Sequence, residues 1–350
     1  MRYKYLIFIL SCFFIGILIF SFGYYYQYGD DFIFLNLLKI MNVGEVIIYQ
    51  YLNWDGRHFS PGGILQMVGF AYLGPFLSLL LGLFCIGVAT WLGIRLFVKK
   101  VEIKDLIIIF SLFLIGLFPF YKDVLFWQTG VIYSYFYLQS LLIIFFYRRG
   151  NNKISPYLEY WLIFLLALNS QNFNLAILVY IWVFGFWEKE DDFSFKRKMI
   201  YSTIIIFSTT IISLAPGNFA RIEFGTKSEP QFTNLNEMFF VYLKALNYTK
   251  YFVLVGFLGG VIIKISKLAS WKKEFFSLSA AGLFSLAPFI LYPDLARVRV
   301  FFSLGLFLFY SGFILGNLTT SIFKSKFLML GPTLVILIGL FILIEQVSLL

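Results

Sequence analysis

The chain has 350 residues, of which 60% are hydrophobic, 22% aromatic and only 13% charged, and its mean hydropathy is +0.85. A soluble domain carries roughly a quarter charged residues, so a soluble enzyme, a disordered chain and a disulfide scaffold are all excluded. The net charge of +10 does not point to nucleic acid, because in a membrane protein the placement of basic residues matters more than their sum.

Arg2 and Lys4 flank an apolar run from Tyr5 to Phe22. No small-residue cleavage site follows, and Tyr24, Tyr25 and Tyr26 resemble an interfacial aromatic belt, so the run is read as an uncleaved first span with a cytoplasmic N-terminus. Further apolar stretches lie at 76–98, 105–120, 131–147, 157–169, 173–187, 199–215, 251–265, 275–292, 299–318 and 327–345. They approach the ~20 residues a helix needs to cross a bilayer. They are continuous rather than alternating, which argues against a β-barrel. The expected fold is an all-α polytopic membrane protein with about eleven transmembrane helices, one integral-membrane domain over residues 1–350.

The stretch 60–74 is apolar but opens with Pro61, Gly62 and Gly63. It is read as a helix or re-entrant segment on the outer side. That choice leaves 19 of the 28 Lys and Arg residues in the inner segments, as the positive-inside rule requires. The C-terminus is then outside. The two longest non-spanning stretches, 23–75 (a long first extracytoplasmic loop) and 216–250 (a second large one), also fall outside. The inner loops are short and basic, and the inner face reads as plain. Cys12 and Cys85 lie in apolar runs and read as small buried hydrophobes without a disulfide.

Unusual polar residues collect on the outer side. They are Asp30-Asp31; Trp54-Asp55-Gly56-Arg57-His58; Tyr121-Lys122-Asp123; Trp127-Gln128-Thr129-Gly130; Asn169 to Asn174; Ala215-Pro216-Gly217-Asn218 with Arg221; and Asp294, Arg297 and Arg299. Charges near lipid are costly unless they pair or line a wet cavity, so these groups are expected to share one cavity. Taken singly, each could be only a helix cap or an interfacial anchor. Context matters here: Asp191-Asp192 is also an acidic doublet, but it sits in a solvated charge run with Lys189 and Lys196. Asp30-Asp31 follows the first span among aromatic residues, with no basic neighbour.

Asp30-Asp31 after the first span resembles the first-loop acidic signature of membrane glycosyltransferases with the GT-C fold. Trp54-Asp55-Gly56-Arg57 resembles a Trp-x-Gly-Arg signature of bacterial membrane glucosyltransferases of the O-antigen-modifying type and of a related polytopic family. The Trp127–Gly130 and Ala215–Arg221 segments fit the latter group. The resemblance covers span number, loop order and these short motifs over most of the chain. It implies a GT-C-like fold and a transferase in the cell membrane with an extracytoplasmic active site. Such an enzyme moves a sugar from a polyprenyl-phosphate donor to a glycan or lipid-linked acceptor, without nucleic acid and with inversion at the anomeric carbon.

Transfer to a hydroxyl needs a base. Asp30 or Asp31 can serve, with Asp30 favoured by the family pattern and its neighbour orienting it or the acceptor. The leaving lipid phosphate needs cations, for which arginine is suited by its bidentate geometry: Arg57, Arg221 and Arg297, then Lys122 and Arg299. Gln171, Asn172, Asn174 and Asn218 are candidate sugar or acceptor contacts, Trp54 and Trp127 candidate stacking surfaces, and His58 a further polar contact. No cofactor and no metal-ligand cluster is indicated, although oxygen ligands of this kind would suit magnesium or manganese. A polysaccharide polymerase or ligase using lipid-diphosphate glycans is the nearest alternative. A lipid-linked sugar flippase or transporter fits less well, because its ionisable groups would lie near mid-membrane. A non-catalytic membrane scaffold is the remaining reading.

Overall fold

In a bilayer core every backbone N–H and C=O must be satisfied within the chain, so long apolar runs become helices. The computed structural model describes residues 2–22, 30–54, 59–98, 101–149, 155–187, 192–223, 235–263, 271–290, 301–323 and 330–348. Its helices are α1 (Arg2–Ser21), α2 (Asp30–Leu38), α3 (Val43–Asn53), α4 (Pro61–Val68), α5 (Gly74–Arg95), α6 (Ile103–Gly116), α7 (Ile132–Arg149), α8 (Pro156–Ala167), α9 (Gln171–Phe186), α10 (Asp192–Ser213), α11 (Pro216–Glu223), α12 (Leu235–Ile262), α13 (Trp271–Phe284), α14 (Phe302–Phe323) and α15 (Leu330–Ser348). Among the described residues there is no strand. Each apolar stretch read from the sequence falls on a helix. Among the described residues, five helical runs are long and apolar enough to cross a membrane: Lys4–Ser21, Pro61–Arg95, Thr129–Arg149, Asn236–Ile262 and Phe302–Thr320.

The bundle's outward face suits lipid. Ile9, Phe13, Phe20, Phe84, Trp161, Phe207, Phe341 and many other large apolar side chains are exposed, an extent of apolar surface that water does not tolerate. Cys12 is on this exposed side and Cys85 is buried, both as free thiols; the expectation of two buried cysteines holds for Cys85 alone. Inside, α7 is central, with Tyr135, Phe136 and Tyr137 all buried.

Helices α12 and α14 lie closest. A Cβ on Gly260 would stand 2.0 Å from the Phe313 carbonyl oxygen, and one on Gly316 1.9 Å from that of Phe257. The two backbones therefore touch, as small-xxx-small pairs allow in membranes. Both helices run the same way, joined in the chain by α13, which packs against α9 and α14. Asn317 adds hydrogen bonds from its amide to the carbonyls of Gly260, at 2.7 Å, and Ile263.

Two stretches differ in detail from the sequence reading. Residues 216–250 are not one loop: α11 opens the stretch and α12 begins at Leu235. Nothing between Leu235 and Lys250 is Gly or Pro, so the spanning helix continues without a break. The run Pro61–Arg95 is not one straight helix. A π-helical turn (Gly69–Leu73) follows α4, and Gly74 adopts φ 70° and ψ 171°. This left-handed region favours glycine. In a straight helix Gly69 and Ser78 would be about 13 Å apart, yet a Cβ on Gly69 would lie 2.8 Å from Ser78 Oγ. The segment thus folds back along α5. Its first turn rests on α7, with Gly62 beside Tyr135 and Gln139.

The opposite end of the bundle, read from the sequence as plain, is built from ion pairs. Lys4 Nζ meets Asp105 at 2.5 Å, Arg148 meets Glu274 at 2.6 Å and Arg197 meets Glu159 at 2.6 Å. The acids occupy the first turns of α6, α13 and α8, where the helix dipole favours negative charge. Arg148 lies in the last turn of α7, which suits a cation. Tyr180 donates to Glu274 at 3.1 Å, and Tyr201 and Arg197 both bond Glu159 Oε1. At the same end, the Lys104 ammonium beside Glu102 holds that exposed carboxyl below its usual range. The sequence reading counted basic residues and overlooked their acidic partners across helices.

Glu274 is almost fully buried, so removing its arginine strands a carboxylate. Arg148→Met is therefore expected to lower stability by about 3 kcal/mol. Adding Glu274→Gln should recover part of that loss, as read from thermal midpoints in detergent; equal midpoints for wild type and Arg148→Met would refute the role.

Candidate functional site

The end of the bundle opposite these ion pairs carries a layer of short helices, α2, α3 and α4. They share a small core of their own, made by Phe34, Val46, Ile47, Met67 and Phe70. Asn42 caps α3 with a reciprocal Asn42–Glu45 capping box, and Ser60 caps α4 by accepting from the Gly63 N–H at 2.9 Å. Between α6 and α7 the chain passes through irregular turns (Phe118–Phe120, Tyr121–Leu125 and Thr129–Val131) that run under this layer.

Asp31 joins the two parts. It is fully buried, and its Oδ1 accepts from the Thr129 backbone N–H at 2.9 Å and from the Thr129 hydroxyl. The Thr129 carbonyl in turn accepts from Gln66 Nε2 at 2.7 Å. Asp31, the Trp127–Gly130 segment and α4, distant in sequence, thus meet at one threonine. Gly130 permits the turn: a Cβ there would lie 1.9 Å from the Asp123 carbonyl oxygen.

A second convergence joins two other segments singled out in the sequence. Trp54 ends α3, and a Cβ on Gly217 would stand 2.4 Å from the Trp54 backbone nitrogen. The start of the Trp54–Arg57 motif therefore rests on the Pro216–Asn218 turn that begins α11.

Other predicted residues serve the scaffold. Asn218 Nδ2 donates to the Ile212 carbonyl at 2.9 Å and to that of Ser213 at 3.3 Å, closing the end of α10. Asn174 is buried and donates to the Ala167 carbonyl at 2.7 Å and to Thr209 Oγ1 at 2.9 Å. Gln171 Nε2 reaches Ser213 Oγ at 3.5 Å, and Asn172 is buried beside it in the first turn of α9. Gln171 and Asn174 tie the start of α9 to α10. Trp127 is buried, 4% exposed, so it packs within the protein and is not a surface belt residue. Trp54 is half-buried.

The backbone of Asp30 starts α2, Lys122 lies in the π-helical turn and Arg221 lies in α11; their side chains lie outside what is described. Arg57, His58, Arg297 and Arg299 fall outside the described residues altogether. Among the described residues no three His, Cys, Asp or Glu side chains gather as a metal site would require.

Sequence reasoning passed over Thr129 as a partner for Asp31, and it passed over Gln66 and Gln139. The signal for the glutamines was present: each is an amide in an otherwise apolar run, and polar side chains inside membrane segments are functional candidates by default. Comparisons with protein-family models, with curated proteins and with solved structures gave no match.

Proposed function

We propose that the protein is a multi-pass membrane glycosyltransferase that moves a sugar from a polyprenyl-phosphate carrier to an extracytoplasmic glycan or lipid-linked acceptor. The observation that carries this reading is the buried Asp31 carboxylate held by Thr129. A carboxylate built into the protein beside the base, rather than left in solvent, suits the precise placement that a general base needs. The two aspartates divide the work. Asp31, bonded to Thr129, is the positioning residue. Asp30, its neighbour at the start of α2, takes the proton from the acceptor hydroxyl as the oxygen attacks the anomeric carbon. The bond from that carbon to the lipid-phosphate oxygen breaks, and the carrier leaves as the phosphate anion. In a single displacement the anomeric configuration inverts. Arg57, Arg221, Arg297, Lys122 and Arg299 are the proposed cations for that phosphate. The lipid tail of the donor suits a protein whose outer surface is apolar.

The test compares lipid-linked sugars and surface glycans in cells with and without the gene. Loss of one sugar modification, with its polyprenyl-phosphate donor accumulating, is the expected result. Unchanged glycans and unchanged lipid-linked sugars would refute the reading.

A further inference from the structure

A groove of about 470 Å³ lies between α12 and α14, lined by Leu246, Lys250, Val253, Leu254, Phe257 and Leu308. The five residues from α12 follow helical spacing and form one stripe along that helix. Leu246 and Leu254 are exposed, so the groove opens on the bundle's outward face. The contacts between the two helices fix the depth of Lys250. A Cβ on Gly256 would stand 2.0 Å from the Phe309 carbonyl oxygen, one on Gly260 2.0 Å from that of Phe313, and one on Gly305 2.3 Å from Phe252 Cδ2. All three pairs share one register, which sets Lys250 level with Ser303. That is one residue inside the start of the apolar run Phe302–Thr320. Phe252 and Phe302 both pack on Phe120, so this is the end of the bundle that carries the candidate site.

Charge and apolar surface are ordered along this groove. Lys250 Nζ donates to Asn247 Oδ1 at 2.8 Å, one turn toward the candidate-site end, so the ammonium leans out of the apolar zone. An ammonium has three donors, and among the described residues no carboxylate pairs with it. Val253, Leu254 and Phe257 continue the groove about 5–11 Å deeper. A cation at the boundary above an apolar trough complements an amphiphile with an anionic head and a hydrocarbon tail. A second copy of the chain fits poorly: a two-fold axis along the membrane normal would set Lys250 against Lys250 at equal depth, and like charges repel. Free phosphate would leave the trough unused. We infer that the groove holds one anionic phospholipid of the leaflet on the candidate-site side, its phosphate at Lys250 and an acyl chain along Val253, Leu254 and Phe257. This goes beyond the transferase reading and does not depend on it.

The experiment uses the purified, delipidated full-length protein in detergent. Thermal midpoints are measured while phosphatidylglycerol, phosphatidylcholine with the same chains, or water-soluble glycerol phosphate is added. Phosphatidylglycerol should raise the midpoint more than phosphatidylcholine does, and glycerol phosphate should not raise it. Lys250→Met should weaken the apparent affinity for phosphatidylglycerol by about fivefold and leave that for phosphatidylcholine unchanged, whereas Lys250→Arg should keep the preference. Leu254→Trp places a large ring over the trough and should weaken both lipids. Lys244→Met is the control. It removes the same charge from the same helix about 120° away around the axis, and it should keep the preference.

The inference is overturned if the two lipids act equally on the wild-type protein, or if Lys244→Met loses as much as Lys250→Met, since the attraction is then diffuse. It is also overturned if glycerol phosphate reproduces the effect, because the trough then has no part in it. A dimer that Leu254→Trp breaks, with no lipid effect, would assign the groove to a second copy instead.

Discussion

Asp30→Asn is expected to lower sugar transfer by about 10²–10⁴-fold, the range a general base supplies, while the protein inserts and folds normally. Asp31→Asn should behave differently, because of the atom involved. Both contacts from Thr129 reach the same oxygen, Oδ1, and an asparagine carbonyl can accept both. The variant should therefore keep both bonds from Thr129 and lose about tenfold in transfer, as expected of a residue that places its neighbour. Asp31→Ala leaves the buried Thr129 N–H unpaired, at a cost of about 1–3 kcal/mol, and should lose stability and transfer together. The measurements are transfer with purified donor and thermal midpoints on the same preparations. Wild-type rates in both asparagine variants would remove the doublet from the chemistry. A loss in Asp31→Asn as deep as in Asp30→Asn, at unchanged midpoint, would exchange the two roles.

A large effect on stability is also expected from Gly316→Ala, which should destabilise by about 3 kcal/mol without touching the candidate site. The new methyl would stand 1.9 Å from the Phe257 carbonyl oxygen, an obstacle made of backbone, which no rotamer change relieves. The helices must separate, and the buried amide of Asn317 then loses its bonds to the carbonyls of Gly260 and Ile263. Gly16→Ala is the control, since nothing lies within 4 Å of its Cβ position. A Gly316→Ala midpoint equal to wild type would show that α12 and α14 are not in backbone contact.

Much of this was readable because a bilayer leaves few options. Runs such as 76–98 and 131–147 can only be helical when no water is at hand, and α5 and α7 lie on them. The candidate site was legible as a set of segments but not as a set of contacts. Nothing local to Asp31 indicates Thr129, 98 residues away, and nothing in Trp54 indicates Gly217. Asn174 and Asn218 look like sugar contacts when only their amides are seen; in the fold the Asn174 amide nitrogen bonds the Ala167 carbonyl and Thr209 Oγ1, and that of Asn218 bonds the Ile212 and Ser213 carbonyls. Asp105 and Glu274 each directly follow a lysine in the sequence, yet the cations that pair with Asp105, Glu159 and Glu274 are Lys4, Arg197 and Arg148, which reach them from other helices.

By itself, then, the sequence determined the membrane environment and the positions of the apolar helices, because desolvation of the backbone acts on each segment independently of the rest. The tertiary structure alone decided which aspartate is held by Thr129, that Pro61–Leu73 turns back at Gly74, and that Lys250 heads a groove between α12 and α14. Those outcomes depend on which side chain from one helix fills the space left by another, and composition and periodicity carry no record of that pairing.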